Sequence, residues 1–405
     1  MRTSEVVGQP PARRLTWESV ATAAMCLGMA LAVMPSLMVS NPPLITYSDV
    51  FFMLGMVMLL PRMLRGTVRA SALYLIGVLT LLCMSLVSFA LVPQPGQLQG
   101  IVRITYALVV LPSVMMLWRP SVQRVALLAG SYVVGTVVSV LYGVLQGARA
   151  DGRNVGLTVH PNGLGHTALL AIALLPFILA LRPSLRWAGL CAGVICAYGI
   201  WISGSRGSLI ALVLLALVYI LRERSATAAL FAWGAGILLA VSWPVLVSEG
   251  SNNVLSRIVG GGTAGDATGQ RELALHDAMV QIQAHPFLGN GFGTIREAQI
   301  AYVQVLAALG ILGLVGFVLV LAALALPVLT TPGPTRLLSY AAVAYVLLAP
   351  FTDSVSDTLV WAALSLCVLV GRISLTPDPV GESTPAEAVE RGSTGVPGAN
   401  SSRPR

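Results

Sequence analysis

The sequence predicts an all-α integral membrane protein, a polytopic bundle of about 12 transmembrane helices with one large extracytoplasmic loop between spans 9 and 10. Composition is the first reason, because 56% of the 405 residues are hydrophobic and only 10% are charged, against roughly 25% charged in a soluble domain. The second is the recurrence of apolar runs, most of them about 17–25 residues long, enough to cross a hydrocarbon layer as a helix. The third is the alternation of arginine-rich and arginine-poor loops.

The apolar runs divide the chain into a cytoplasmic N-terminus (1–16), a transmembrane domain (17–372) and a disordered cytoplasmic tail (373–405) rich in Pro, Gly, Ser, Thr and Glu. The first run lacks an Ala-x-Ala-like cleavage site, which favours an uncleaved span over a signal peptide. The predicted spans are Trp17–Val39, Leu44–Leu60, Ser71–Val92, Gly100–Trp118, Val125–Leu145, Leu164–Leu181, Trp187–Ile202, Gly207–Leu221, Thr227–Val247, Ile300–Leu329, Leu337–Pro350 and Thr358–Val370.

Arginine placement predicts the orientation. With the N-terminus in the cytoplasm, the inside loops hold most of the arginines and the outside loops few, which is the positive-inside pattern. Both termini are then cytoplasmic, and the cytoplasmic (inner) membrane is the predicted location. The formal net charge of +8 follows from this topology, so membrane lipids are predicted partners and nucleic acid is not. The outside arginines are Arg149, Arg153, Arg206, Arg257, Arg271 and Arg296.

Several chemistries are excluded or disfavoured by residue type. All 24 basic residues are arginine, so the lysine of a Walker A loop is missing. The five cysteines lie inside apolar runs without a CxxC pair and are interpreted as small apolar side chains. No Asp-x-Asp metal motif occurs, so neither a metal nor a cofactor is predicted. Asp353 and Asp357 are one helical turn apart and either share a face or complement the dipole of the last span.

The first extracytoplasmic candidate segment precedes the sixth span. Arg153, His160 and Asn162 flank a turn formed at Pro161, where a helix N-terminus favours an anion. A turn with capping residues explains the same pattern. His166 falls one turn into the span, where an ionisable residue points to a cavity. Two further charges, Asp49 and Arg103, lie just inside the outer ends of their spans and either snorkel or face a cavity.

The second candidate is the short turn Ser203–Ser208, whose sequence is SGSRGS. Arg206 is its sole charge and lies on the side that the positive-inside rule disfavours. Its paired N–H donors match a phosphate or diphosphate geometrically. A guanidinium that simply snorkels to the interface is the alternative.

The third candidate is the loop Ser248–Gln299. A helix is predicted over Arg271–Ala284, with Arg271, Leu275, Ala278 and Ile282 on one face that lies against the bundle or the bilayer surface. The His285-Pro286 step ends it, and the following GNGFG supplies a tight turn. Arg296, Glu297 and Gln299 stand at the threshold of the next span.

At these residues the chain resembles the O-antigen ligase and polymerase family of polytopic membrane proteins that handle lipid-linked polysaccharides. The resemblance lies in SGSRGSLIAL at Ser203–Leu212, in VHPNGLGHTALLAIALLPF at Val159–Phe177, and in the block from Arg271 through HPFLGNGFG to YVQVLAALGILGL. The matched pieces cover about a third of the chain, in the family's order and topology.

The resemblance implies metal-independent, inverting transfer or polymerisation of a glycan from an undecaprenyl-diphosphate carrier to a glycan or lipid acceptor. It implies that Arg206 and Arg271 hold the diphosphate, and Arg153 and Arg296 are further candidates. It also implies a cavity, for which the candidate lining residues are His160, Asn162, His166 and Tyr302.

One departure from the family affects the catalytic residue. Family ligases place a histidine, the proposed base, just before the Tyr-x-Gln stretch, and this chain has Gln299, which orients a hydroxyl but cannot take its proton. His276, His285 and Glu297 are the alternative candidates. Two other functions stay open: a non-catalytic relative that binds lipid-linked glycan, which the glutamine favours, and a polysaccharide or lipid transporter, which the nearly uncharged span centres disfavour.

Overall fold

The computed structural model describes residues 16–40, 45–68, 70–93, 96–224, 254, 257, 264–292 and 299–372. This part of the chain is almost entirely helical. Its α-helices are α1 Trp17–Ala32, α2 Tyr47–Met63, α3 Ala72–Leu91, α4 Gln97–Thr105, α5 Leu111–Trp118, α6 Val122–Gln146, α7 Pro161–Leu181, α8 Arg186–Ser203, α9 Arg206–Glu223, α10 Ala264–Ala284, α11 Ala301–Ala325, α12 Pro327–Thr330, α13 Tyr340–Leu348 and α14 Thr358–Cys367.

Short irregular helices join some of these elements. A π-helical segment, Tyr106–Val110, makes α4 and α5 continuous, and 3-10 turns at Pro183–Leu185, Pro334–Ser339 and Ala349–Phe351 extend α8 and both ends of α13. The described residues also include two short strands, β1 (Met38–Ser40) and β2 (Ile45–Thr46), which pair antiparallel between α1 and α2.

Seven of the described helical segments are long and apolar enough to cross a membrane. They are Ala72–Leu91, Gln97–Trp118, Val122–Gln146, Pro161–Leu181, Pro183–Ser203, Ala301–Thr330 and Pro334–Phe351. Large apolar side chains such as Val57, Leu79, Val134 and Val194 remain 58% or more exposed on the outer faces, far more apolar surface than a soluble monomer shows. The protein is therefore a membrane-embedded helical bundle.

The predicted spans that fall on described residues all coincide with helices, but not all of these helices are full crossings. Trp17–Val39 and Thr358–Val370 shorten to Trp17–Ala32 and Thr358–Cys367. Leu44–Leu60 and Gly207–Leu221 become α2 and α9, which are not among the seven, because α2 has 17 residues and the 18 residues of α9 include three charged ones. Thr227–Val247, the termini and parts of the loop Ser248–Gln299 (248–253, 255–256, 258–263 and 293–298) lie outside the described residues. The count of about 12 stays a prediction.

Small residues bring the helices of the bundle into close contact. A Cβ on Gly77 of α3 would lie 2.7 Å from the backbone oxygen of Gly316 on α11, and one on Gly135 of α6 would lie 2.2 Å from that of Ala30 on α1. In lipid, where helices gain nothing from excluding water, such close packing supplies the association energy. The glycines on these faces are thus part of the fold.

Helix α11 is broken at Gly310, and the loop after α10 fills the break. Gly310 has φ +68° and ψ −172°, outside the helical region. The backbone N–H groups of Asn290 and Gly291 donate to the carbonyls of Ala307 (3.0 Å) and Ala308 (2.8 Å). Carbonyls freed within a membrane need such partners. The predicted turn around GNGFG is confirmed in this form, with positive φ at Gly289 and Gly291.

Candidate functional site

The site is built on the turn between α8 and α9, which packs directly against α7. Ser205 caps α9, its Oγ accepting from the backbone N–H of Ser208, and Ser203, Ser205 and Ser208 are all buried. A Cβ on Gly165 of α7 would lie 2.8 Å from both Ser205 Cβ and Ser208 Oγ. The small residues of the turn therefore allow the start of α9, and Arg206 with it, to lie against α7.

Arg153 holds this turn to the beginning of α7. Its guanidinium is buried and donates from Nε to the backbone oxygen of Ser203 at 2.8 Å and from Nη2 to Asn162 Oδ1 at 2.6 Å. Its backbone N–H donates to Asp151 Oδ1 at 3.1 Å. Arg153, predicted to bind diphosphate, thus already uses two side-chain donors within the protein and positions the two segments that carry Arg206 and His160.

Arg257 contacts the same turn, and the sequence alone does not mark it as a binding residue. Its Nη1 donates to the backbone oxygen of Gly204 at 2.9 Å, and its own backbone oxygen accepts from Arg206 Nη1 at 3.3 Å. Arg257 is only 4% exposed, yet within the described part of the chain its Nε has no hydrogen-bond partner. An arginine in a glycine-rich loop without periodicity gives no sequence signal for such a role.

The arginine cluster, consisting of Arg153, Arg206, Arg257 and Arg271, concentrates positive charge. Burial, and then the neighbouring charge of Arg257, lowers the pKa of Arg153 to about 10. Burial and the charge of Arg206 also lower the pKa values of Arg257 and Arg271. All four remain charged at neutral pH, so they repel one another, and a bound anion relieves that repulsion.

Arg271 reaches the cluster from α10. The predicted helix Arg271–Ala284 is confirmed and begins earlier, at Ala264. Its inward face packs on α11, where Ala278 and Ala307 are both fully buried with Ile282 against them. Arg271 Nε donates to Gln299 Oε1, and Gln299 has φ +52°, the left-handed region that a non-glycine residue adopts at a cost.

A cavity of about 630 Å³ lies beside the arginine cluster. Asn162 and Gln299 stand in its wall and are bonded from behind by Arg153 and Arg271, so these two arginines are one hydrogen bond away from it. The cavity brings together residues from distant parts of the sequence. The polar residues of its lining include Gln99, Arg103, Thr158, His160, Asn162, His166, Gln299, Gln304, Asp353, Ser354, Ser356 and Asp357.

The two histidines of the cavity differ in their surroundings. His160 is the N-cap of α7, and its Nδ1 accepts from the backbone N–H of Asn162 at 3.2 Å. Burial, and then the charge of Arg153, lowers the pKa of His160, so its ring is neutral at pH 7 and its proton is assigned to Nε2. His166 is 2% exposed, with Nδ1 3.4 Å from Thr352 Oγ1.

The other candidates lie elsewhere. The side chain of His276 is 77% exposed, with Nδ1 3.9 Å from Asp277 Oδ1, and His285 is exposed at the end of α10. Neither belongs to the cavity lining among the described residues. Tyr302 donates from its hydroxyl to the backbone oxygen of Val346 at 3.3 Å and lies outside that lining too, because it faces the interior of the bundle between α11 and α13.

Arg296 and Glu297 lie outside the described residues. Among those that are described, no three His, Cys, Asp or Glu side chains cluster as a metal site would require. Asp353, Asp357 and Arg103 are the charged cavity residues that the sequence left undecided. Asp353 and Asp357 share the cavity, and Asp357 is also the N-cap residue of α14, where an acid complements the helix dipole.

No protein-family model and no curated protein matches this chain. The family resemblance therefore rests on its motifs, and the function is argued from the geometry of the site.

Proposed function

We propose that this protein transfers or polymerises a glycan carried on undecaprenyl diphosphate, at the outer face of the cytoplasmic membrane, without a metal ion. The observation that carries the proposal is the convergence of Arg153, Arg206, Arg257 and Arg271 beside the cavity of about 630 Å³. The arginines bind the diphosphate, and the cavity receives the sugar next to it together with the acceptor hydroxyl.

Arginine suits this role in both binding and catalysis. Its planar guanidinium donates two parallel N–H groups to phosphate oxygens. As the bond between sugar and phosphate breaks, negative charge on the diphosphate increases, so fixed guanidinium groups stabilise the transition state more than the bound donor. Within the described part of the chain the buried Nε of Arg257 has no hydrogen-bond partner, which supports the same interpretation, because an orphan charged donor is costly until an anion accepts from it.

The charged residues at the two ends of α9 support the proposed orientation. Arg206 begins α9 and Arg222 lies in its last turn, roughly 24 Å away at 1.5 Å per residue. At the Arg222 end, Glu223 pairs with Arg336, while Glu18 pairs with Arg62 and Arg124 in the first helices. The positive-inside rule assigns these arginine-rich loops to the cytoplasm and the arginine cluster to the outside, where lipid-linked glycans are assembled into longer polymers.

The test is a reconstituted assay with a lipid-diphosphate-linked glycan, comparing the wild type with Arg206→Ala and Arg271→Ala. Each change should lower turnover by roughly 100- to 1,000-fold, the effect of removing one donor to a developing charge. Arg149→Ala is the control, since Arg149 is an exposed arginine of the same outer loop as Arg153; it should stay within about twofold. Inorganic diphosphate should compete with the donor for the wild type.

The outcomes separate the alternatives. Binding that depends on the arginines but gives no turnover, unless Gln299 is changed to His, identifies a donor-binding protein without catalysis. A folded wild type that neither binds nor turns over the donor contradicts the proposed substrate.

A further inference from the structure

The proposed transfer needs a group that accepts the proton of the acceptor hydroxyl, and the described lining of the cavity offers few. The amides of Gln299 and Gln304 have no basic atom, and Arg103 is a permanent cation. His160 uses Nδ1 to accept from Asn162 and carries its proton on Nε2, so the ring presents a donor to the cavity. His166 is only 2% exposed and has Nδ1 against Thr352 Oγ1, so the more open groups are the half-buried carboxylates of Asp353 and Asp357.

The two carboxylates lie in different electrostatic surroundings. Asp353 interacts with Arg271 and His160, on the side of the arginine cluster. Asp353 therefore lies beside the guanidinium groups that hold the leaving diphosphate in the proposed reaction. Asp357 interacts instead with Arg103 and with Asp353, and it accepts a hydrogen bond from Ser354. It is the N-cap residue of α14, but its side chain makes no capping hydrogen bond there.

We propose that Asp357 is the general base of the transfer reaction, in the role for which the sequence offers no histidine beside Tyr302. The inference rests on the proposed function. Its carboxylate is half-buried and lines the cavity, and it lies on a different segment from the arginines that bind the leaving group. A base and a leaving-group site on separate walls are what inversion requires, because the acceptor attacks from the face opposite the diphosphate.

The step balances without a co-reactant. The acceptor O–H gives its proton to the Asp357 carboxylate, and the acceptor oxygen forms a bond to the anomeric carbon. The bond between that carbon and the phosphate oxygen breaks, its electron pair leaves with the lipid diphosphate, and the arginine cluster holds the added charge. Asp357 then returns its proton to water.

The environment makes this carboxylate a stronger base than an exposed aspartate. Burial raises the pKa of Asp357, as does the charge of Asp353, while the hydrogen bond from Ser354 and the charge of Arg103 lower it less. A carboxyl whose pKa lies closer to the working pH accepts a proton more readily. Since only the ionised form is active, turnover should fall as the pH drops through this raised pKa.

Other titratable groups near this carboxylate could also make turnover depend on pH, and their contributions must be distinguished from that of Asp357. Asp353 lies on the same segment, Arg103 approaches from α4, and His160 and His166 come from the start of α7. The phenol of Tyr345 on α13 is close enough to interact with the Asp357 charge. If the fall of turnover at low pH is due to Asp357, it disappears in the Asp357→Asn variant. If it is due to either histidine, it persists in that variant.

The experiment is turnover and donor binding by Asp357→Asn and Asp357→Glu in the reconstituted assay. Asp357→Asn should lose turnover by about 100- to 10,000-fold while donor affinity stays within about threefold. Asp357→Glu should retain part of the turnover, with its acid limb displaced. The matched control is Asp277→Asn, an exposed aspartate of α10 outside the cavity lining, which should behave like the wild type.

Turnover by Asp357→Asn within about threefold of the wild type would overturn the inference. If that variant does not fold, Asp357→Glu decides: a pH profile identical to the wild type overturns the inference, and a displaced limb supports it. A wild type without turnover instead refutes the proposed function itself, so the two failures are distinguishable.

Discussion

Gln299 occupies the position at which the resembling family has its histidine, and its geometry gives it a different task. Its side-chain oxygen accepts from Arg271 Nε, and its φ of +52° turns the chain sharply into α11. An amide oxygen engaged in this way fixes the guanidinium of Arg271 rather than moving a proton. In the proposed reaction it is a positioning residue for Arg271.

Replacing Gln299 with glycine separates the side chain from the backbone. Glycine adopts positive φ freely, so the free energy of unfolding should change by less than about 1 kcal/mol. Loss of the acceptor leaves Arg271 free to rotate, and donor affinity should fall by about tenfold, as expected for one hydrogen bond to a charged group. Thermal unfolding and donor binding measure the two effects. A glycine variant that binds donor as tightly as the wild type would contradict this role.

At the scale of elements, the most unusual feature is the interruption of α11 at Gly310. The hydrophobic run alone predicts one continuous span, Ile300–Leu329. In the structure the loop after α10 inserts at the break, and the backbone N–H of Ile311 donates to Pro286 at 2.9 Å. This insertion holds α10, and with it Arg271, against the bundle.

Gly310→Ala tests that arrangement. A Cβ there would lie 2.1 Å from the backbone oxygen of Phe287, and the residue has φ +68°. Both the clash and the strained dihedral should lower the free energy of unfolding, by about 2 kcal/mol or more. Gly130→Ala is the control, since its Cβ would meet no heavy atom within 4 Å and alanine favours a helix. Equal thermal stability of the two variants would argue against a role for the break.

Helix α10 shows how far pattern reasoning extends. The spacing of Arg271, Leu275, Ala278 and Ile282 predicts the packed face, and that face does lie on α11. The start at Ala264 was missed because Gly265 and Gly269 make that stretch resemble a loop. The low helix propensity of these two glycines is outweighed because they extend the helix that continues through Arg271.

At the scale of the whole molecule, charge asymmetry predicts which end of the bundle faces the cytoplasm. In a variant without native cysteines, Asp277→Cys on α10 should react with a membrane-impermeant thiol reagent in intact cells. Ser184→Cys, in the exposed turn before α8, should react only after permeabilisation. The unmodified cysteine-free chain is the control, and the reverse labelling pattern would overturn the orientation.

The sequence by itself determined the membrane bundle, the positions of its helices and the candidate loops. Hydropathy, arginine placement and glycine or proline breaks are local properties, and each acts over a few turns of chain. Arg206 and His166 stand out as ionisable residues beside or within apolar runs, His160 and Asn162 belong to a turn that precedes a helix, and the family resemblance implies the role of Arg271.

Only the tertiary structure decided which of these residues meet. Arg257 joins the cluster from a loop without periodicity, Asp353 and Asp357 reach the cavity from the last segments, and Tyr302 faces away from it. Which side of a nearly all-apolar helix faces inward depends on how helices that are distant in sequence pack together. With so few polar residues, the sequence does not predict that inward face. The close approach of glycine-bearing faces sets that packing and thereby the composition of the site.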